Sequence, residues 1–194
     1  IGSDLSALHF NLDFAPVADV WTNPANTVIG DRAYSDDFDQ ASELVAAAVE
    51  GFYDAGIMCS VKHFPGHGDT ATDTHTGAAT VDKTVEELMA GELKPFISGI
   101  EAGADMVMVG HITMTAIDAA HPACLSYEVV TGLLRERCVL ALEAGVEILL
   151  GVTDIPAALE ALTAAVESGE LSEERIDESV LRVLTLKSEY LGQF

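Results

Sequence analysis

Basic residues are scarce in this chain. Nine Lys and Arg stand against 32 Asp and Glu, a formal charge of −23. That balance excludes nucleic acid and an anionic membrane surface as partners, because both need a cationic footprint. It reads as a solubilising shell rather than as an acidic interaction face. Cysteine is also sparse. Cys59, Cys124 and Cys138 are an odd number at wide spacing, so they make neither a disulfide framework nor a zinc knuckle and are expected as buried free thiols. No apolar run approaches the ~20 residues of a membrane span. The chain opens on Ile1 with no signal peptide, which leaves the true N-terminus and the compartment open. No Gly-rich dinucleotide fingerprint, phosphate loop, G-x-S-x-G elbow or H-E-x-x-H helix occurs.

What the chain does have is residues 62–77, KHFPGHGDTATDTHTG. Three of its six histidines lie here (His63, His67 and His75), with Asp69, Asp73, three glycines and Pro65. The segment follows directly on the apolar run 56–61, the pattern of a buried strand opening into a functional loop. Asp73 and His75 are two apart, so in extended chain they face the same way. A carboxylate beside an imidazole fixes its tautomer and raises its basicity, which makes a general acid/base near neutral pH. A plain local hydrogen bond is the competing reading of that short pattern. Lys62 and His63 close the strand. A buried lysine is costly unless paired, so Lys62 points either to a polar ligand or to a structural ion pair. Arg32, alone among acidic neighbours in the loop 21–37, is either solvated or a fork for a polar substrate. His63, His67, Asp69, Asp73 and His75 would suffice as zinc ligands. Pro65, Gly66 and Gly68 make a turn of the segment rather than a ligand-presenting helix, so no metal is expected.

The remaining text alternates strands and helices. Residues 9–20 suit a strand ending in a loop after Pro16. Residues 38–55 carry apolar positions at helical spacing, capped by Gly56. Strand 57–61 follows. Thr84 and Glu87 form a capping box for a helix over 85–102, with Pro95 as a kink or break. Residues 104–110 are a third strand ending at His111, and 112–123 a loop. Ser126 caps a helix over 127–137, 146–152 is a fourth strand, and 155–168 and 173–190 are helices. Buried, non-alternating strands with helical crossovers mean parallel pairing. Chemically rich segments sit at the C-terminal ends of several strands, where both an open doubly wound sheet and a (β/α)₈ barrel place ligands.

Several stretches together resemble the family 3 glycoside hydrolases, in their β-N-acetylglucosaminidase branch: NLDFAPVADV, GDRAYSDD, VKHFPGHGDTATDTHTG, ADMVMVGHI, LSYEVVTGLLRE and ALEAGVEILL. They occur in family order across most of the chain, and the long K-H-F-P-G-H-G-x₄-D-x-H pattern is the specific one. The resemblance implies a TIM (β/α)₈ barrel that cleaves terminal β-linked N-acetylglucosamine with retention, as in peptidoglycan recycling or chitin breakdown. It implies His75 as the acid/base oriented by Asp73, and Lys62, His63 and Arg32 on sugar hydroxyls, with His111 at the pocket wall. No cofactor is implied. The partner is a small carbohydrate containing N-acetylglucosamine, and oligomeric state is left open.

The family's nucleophile is an Asp on a strand after the VTGLLRE helix, and no such text lies between Arg137 and Cys138. Asp154, in GVTDIP, imitates that motif, but its position matches the following strand. The early barrel strands are also missing before Ile1. A barrel needs about 250 residues, so the single domain 1–194 is expected to be partial, with a chain break at 137/138. Phosphorolysis on the same scaffold, and a non-catalytic sugar-binding protein, are the alternatives.

Overall fold

The computed structural model describes residues 1–70, 79–138, 148, 150 and 154–191. They fall into two compact units, Ile1–Ala144 and Gly145–Phe194.

The first unit is built around strand β2, Met58–Phe64. Its residues 58–61 are all buried, as the unbroken apolar run requires of a strand covered on both faces. It pairs in parallel with β1 (Leu12–Asp13) through Leu12↔Met58 and Asp13↔Cys59. On its other side it pairs in parallel with β4 (Met106–Val109), from Ser60↔Met106 to Phe64↔Val109. A register shift falls between Lys62 and Phe64, and the Lys62–His63 and Phe64–Pro65 peptide bonds are cis. A second parallel pair joins β3 (Ala79–Val81) to β5 (Ile112–Met114). The expected loop over 112–123 thus begins with a strand, whose three-residue length hides it from any periodicity.

The helices follow their capping signals. The chain enters α1 at Gly2–Ala7. Asp37 caps α2 (Phe38–Asp54) by accepting from Gln40 N–H, and Gly56 beyond its end has φ 68°. That left-handed conformation is what a glycine after a helix supplies at little cost. The Thr84/Glu87 capping box opens α3 (Val85–Ala90). The helix expected over 85–102, with a kink or break at Pro95, breaks: Pro95 sits in the first turn of a separate α4 (Lys94–Glu101), where its missing N–H costs nothing. The segment Glu128–Cys138, wound as a wider π-type helix, spans both residues of the expected break at 137/138.

Helices α2 and α4 pack on each other and on β2. Val45 and Val49 of α2, Val61 and Phe64 of β2 and Phe96 of α4 are fully buried. The Phe64 and Phe96 rings meet edge to face at 5.5 Å. Each such side chain contributes about 1.5–3 kcal/mol by leaving water. Cys59 is buried as expected, whereas Cys124 is only half-buried.

The second unit has helices α5 (Ile155–Glu167) and α6 (Glu173–Leu191), with no buried residue in either. Asp154 caps α5 by accepting from Ala157 N–H. The expected strand 146–152 lies outside the described residues except for Ile148 and Leu150, which are exposed. Among the described residues the parallel sheets do not close into a barrel. The parallel α/β order is present.

Candidate active site

The C-terminal end of β2 carries the site. Parallel pairing extends past β1, with Val17 bridging Lys62, Ala18 N–H donating to Lys62 O at 2.7 Å and Lys62 N–H to Pro16 O at 3.2 Å. This brings Asp19 level with His63. Asp19 is buried, and its carboxylate gathers three donors. His63 N–H donates to both oxygens at 3.2 Å, the His63 ring Nδ1 lies 2.7 Å from Oδ2, and His67 N–H donates to Oδ1 at 2.6 Å. A buried carboxylate is tolerated where its lone pairs meet donors in this way. Asp19 had no role in the sequence reading. Its one signal was a carboxylate closing an apolar run, FAPVADV, at a strand's C-terminal end.

His67 is buried too. Its Nδ1 lies 2.5 Å from Thr70 Oγ1, and its Nε2 is buried without a hydrogen-bond partner among the described residues. The two imidazoles stand edge to face, 6.0 Å apart. Gly68 lies so close to the 17–20 segment that a Cβ there would meet Val20 O at 1.7 Å. Only glycine fits that approach.

Asn26 and Asn23 sew the loop 21–37 to the same turn. Buried Asn26 donates to His67 O at 2.7 Å and Thr70 Oγ1 at 3.3 Å, and accepts from Val28 and Ile29 N–H at 2.9 Å. All of its amide capacity is used. Asn23 donates to Asp69 O at 3.3 Å. Lys83, just after β3, bridges Asp69 at 2.8 Å and buried Glu92. Burial lowers the Lys83 pKa, but the hydrogen bonds to the two carboxylates outweigh it and leave it raised. Asn26, Lys83 and Glu92 were likewise invisible in sequence, because their partners lie 9 to 44 residues away, beyond the reach of any local pattern.

The expected substrate residues are placed as follows. Lys62 is half-buried, and its pKa is lowered, first by burial and then by the nearby Arg32 charge, against Asp13 and Asp19. Among the described residues no carboxylate lies within salt-bridge distance of it. Arg32 is exposed and folds back on Val28 O at 2.7 Å through Nη2. His63 keeps 20% of its side chain exposed. His111 is exposed, with Nδ1 3.1 Å from Cys124 Sγ. It follows Gly110, where a Cβ would lie 3.4 Å from that of His63. The structure therefore brings Lys62, His63 and Arg32 to one strand end, with His111 beside it. Asp73 and His75 lie outside the described residues, which resume at β3. Among the described residues no cluster of three metal-ligating side chains occurs, and no helix is long and apolar enough to cross a membrane. Asp154 serves as a helix cap.

Comparison with known proteins places this geometry. The profile of the glycosyl hydrolase family 3 N-terminal domain matches residues 1–139 and 135–186. Beta-hexosaminidase LpqI of Mycobacterium tuberculosis is 33% identical over 220 residues, covering 96% of this chain and 56% of that protein. A beta-hexosaminidase of Xanthomonas oryzae pv. oryzae is 40% identical over 135 residues, covering 70% of this chain and 40% of that protein. A solved family 3 beta-N-acetylglucosaminidase from Paenibacillus superposes with a TM-score of 0.91 at 41% identity, covering 98% of this chain and 42% of that one. The chain thus spans about half the length of LpqI and less of the other two. With the profile taking in most of the chain and identities at these levels, the chain belongs to glycosyl hydrolase family 3, through its N-terminal domain.

Proposed function

We propose that the protein is a retaining exo-β-N-acetylglucosaminidase acting on terminal β-linked N-acetylglucosamine of peptidoglycan, chitin or glycan type. The observation that carries this is the end of β2, where Lys62 and His63 leave the strand beside a buried carboxylate, a few residues ahead of Asp73 and His75 in the sequence. In this mechanism Lys62, His63 and Arg32 hold sugar hydroxyls, with His111 at the edge of the pocket. His75 protonates the departing glycosidic oxygen while an aspartate attacks the anomeric carbon. It then takes a proton from the water that releases the sugar. Asp73 orients the His75 ring and stabilises its charged form. The attacking aspartate belongs to a strand outside these 194 residues, after the helix Glu128–Cys138. Two findings support a missing interior strand. The profile matches in two parts that meet at 135–139, and the LpqI alignment runs over 220 residues against a chain of 194.

A chromogenic N-acetylglucosaminide, assayed with and without inorganic phosphate, tests the proposal on the protein from its native source. Turnover independent of phosphate, falling about 10²–10⁴-fold in His75→Ala, is expected. Unchanged turnover in that variant removes His75 from the mechanism. The lack of a nucleophile-bearing strand between Arg137 and Cys138 favours one second reading, a sugar-binding protein without turnover, for a chain of only these residues. An intact mass of 20.5 kDa with N-acetylglucosamine binding and no hydrolysis would establish it.

A further inference from the structure

The Asp19 carboxylate does more than close a turn. Its side chain is fully buried, and among the described residues the groups within hydrogen-bond distance of it are two backbone N–H donors and one imidazole nitrogen. An ionised carboxylate only accepts. The ring nitrogen facing it, Nδ1 of His63, must therefore carry a hydrogen. In the neutral ring the proton is then absent from Nε2, which becomes a lone-pair acceptor. The His63 side chain is the part of this cluster that reaches the surface, with 20% exposed against none for Asp19.

We infer that Asp19 is a positioning residue that holds His63 in the Nδ1-protonated tautomer, so that Nε2 accepts a hydrogen bond from a sugar hydroxyl. This rests on the sugar-binding reading of the site and adds the polarity of one contact to it. The subsite takes a hydrogen-bond donor and discriminates against a ligand with only an acceptor there, such as a fluorine in place of the hydroxyl. The neighbouring histidine shows the same logic carried to a buried end. Thr70 Oγ1 spends its hydrogen on His67 O at 2.9 Å, so it can only accept from His67 Nδ1 at 2.5 Å. His67 is therefore also protonated at Nδ1, but its Nε2 is buried. Of the two rings, His63 is the one with surface left for a ligand.

A backbone-only role for Asp19 is the rival. It would hold the 63–67 turn through His63 and His67 N–H, indifferent to the ring. Two measurements separate the readings. The first is histidine ¹⁵N NMR of the wild-type protein above the titration range of the ring. The proposal expects the His63 signals of the Nδ1–H tautomer, and an Nε2–H tautomer overturns it whether or not any variant folds. The second is N-acetylglucosamine titration by calorimetry of Asp19→Asn, His63→Gln and the double variant. Asp19→Asn, with cooperative unfolding retained, is expected to change the tautomer and weaken binding about tenfold. In the His63→Gln background the same change should add nothing. Equal losses in both backgrounds assign Asp19 to the backbone alone. If the wild type binds no N-acetylglucosamine, the functional reading fails, while the tautomer still decides what Asp19 does to His63.

Discussion

The end of β2 and the helices α5 and α6 are held in opposite ways. Around β2, polar side chains reach partners 41 to 48 residues away: Asn26 to His67 and Thr70, Asp19 to His63 and His67. At α5 and α6 side-chain hydrogen bonds join near neighbours: Ala157 N–H donates to Asp154, Thr163 Oγ1 to Leu159 O and Arg175 N–H to Ser172 Oγ. Leu159, Leu181 and Leu184 stay exposed there. Local bonds set where a helix starts and stops. They fix no position relative to other elements. Long-range bonds to buried groups do, because each one left unmade costs a full desolvation penalty.

The comparison breaks hardest at Gly68. Gly68→Ala forces a Cβ into Val20 O. A loss of about 3 kcal/mol or more in urea unfolding is expected. Asn26→Ala comes next, since it strands the Val28 and Ile29 N–H groups and takes one of two side-chain donors from His67 O. It should cost about 2–3 kcal/mol, measured as the shift in urea midpoint at constant slope. Thr84→Ala removes one half of a capping box at α3 and should cost about 1 kcal/mol. In the second unit, Leu181→Ser at a 66% exposed position should stay within about 0.5 kcal/mol. A larger loss would show that α6 is buried in the full protein and would redraw the contrast.

Lys83 sharpens the comparison through pH. Its pKa is raised above the ordinary 10.5 in the folded chain. A group shifted upward binds its proton more tightly when folded, so its stabilisation is complete below 10.5 and disappears as pH climbs through the raised value. Thermal melts of the wild type should lose stability above pH 10.5, and Lys83→Met should show less of that loss. Cys59 behaves similarly in sign. Burial first, and the Asp105 carboxylate after it, push its thiol up to about 11, so a disulfide reagent at neutral pH should leave it unmodified in the folded protein.

Elements with local signals were legible in the sequence. Thr84 and Ser126 mark helix starts because a cap needs only its own next three residues. The run 57–61 marks β2 because a covered strand is apolar throughout. Lys62 and Arg32 each stood out in the sequence as a candidate for a polar ligand, but only the family pattern joined them with His63 as one site. The nearness of Arg32 to Lys62 was decided by the fold. The break at Pro95 was legible from the proline itself. The strand Ile112–Met114 was missed, because three residues carry too little periodicity to outvote their neighbours.

The order of elements, their caps and the membership of the family were set by residues acting within a few positions of one another, which is information a linear text can hold. Which nitrogen of His63 carries its hydrogen, and what a buried carboxylate 44 residues earlier does, were decided by the parallel pairing that sets Asp19 beside it. A hydrogen bond in a dry interior depends on distances of a few tenths of an ångström, and only the packed chain fixes those.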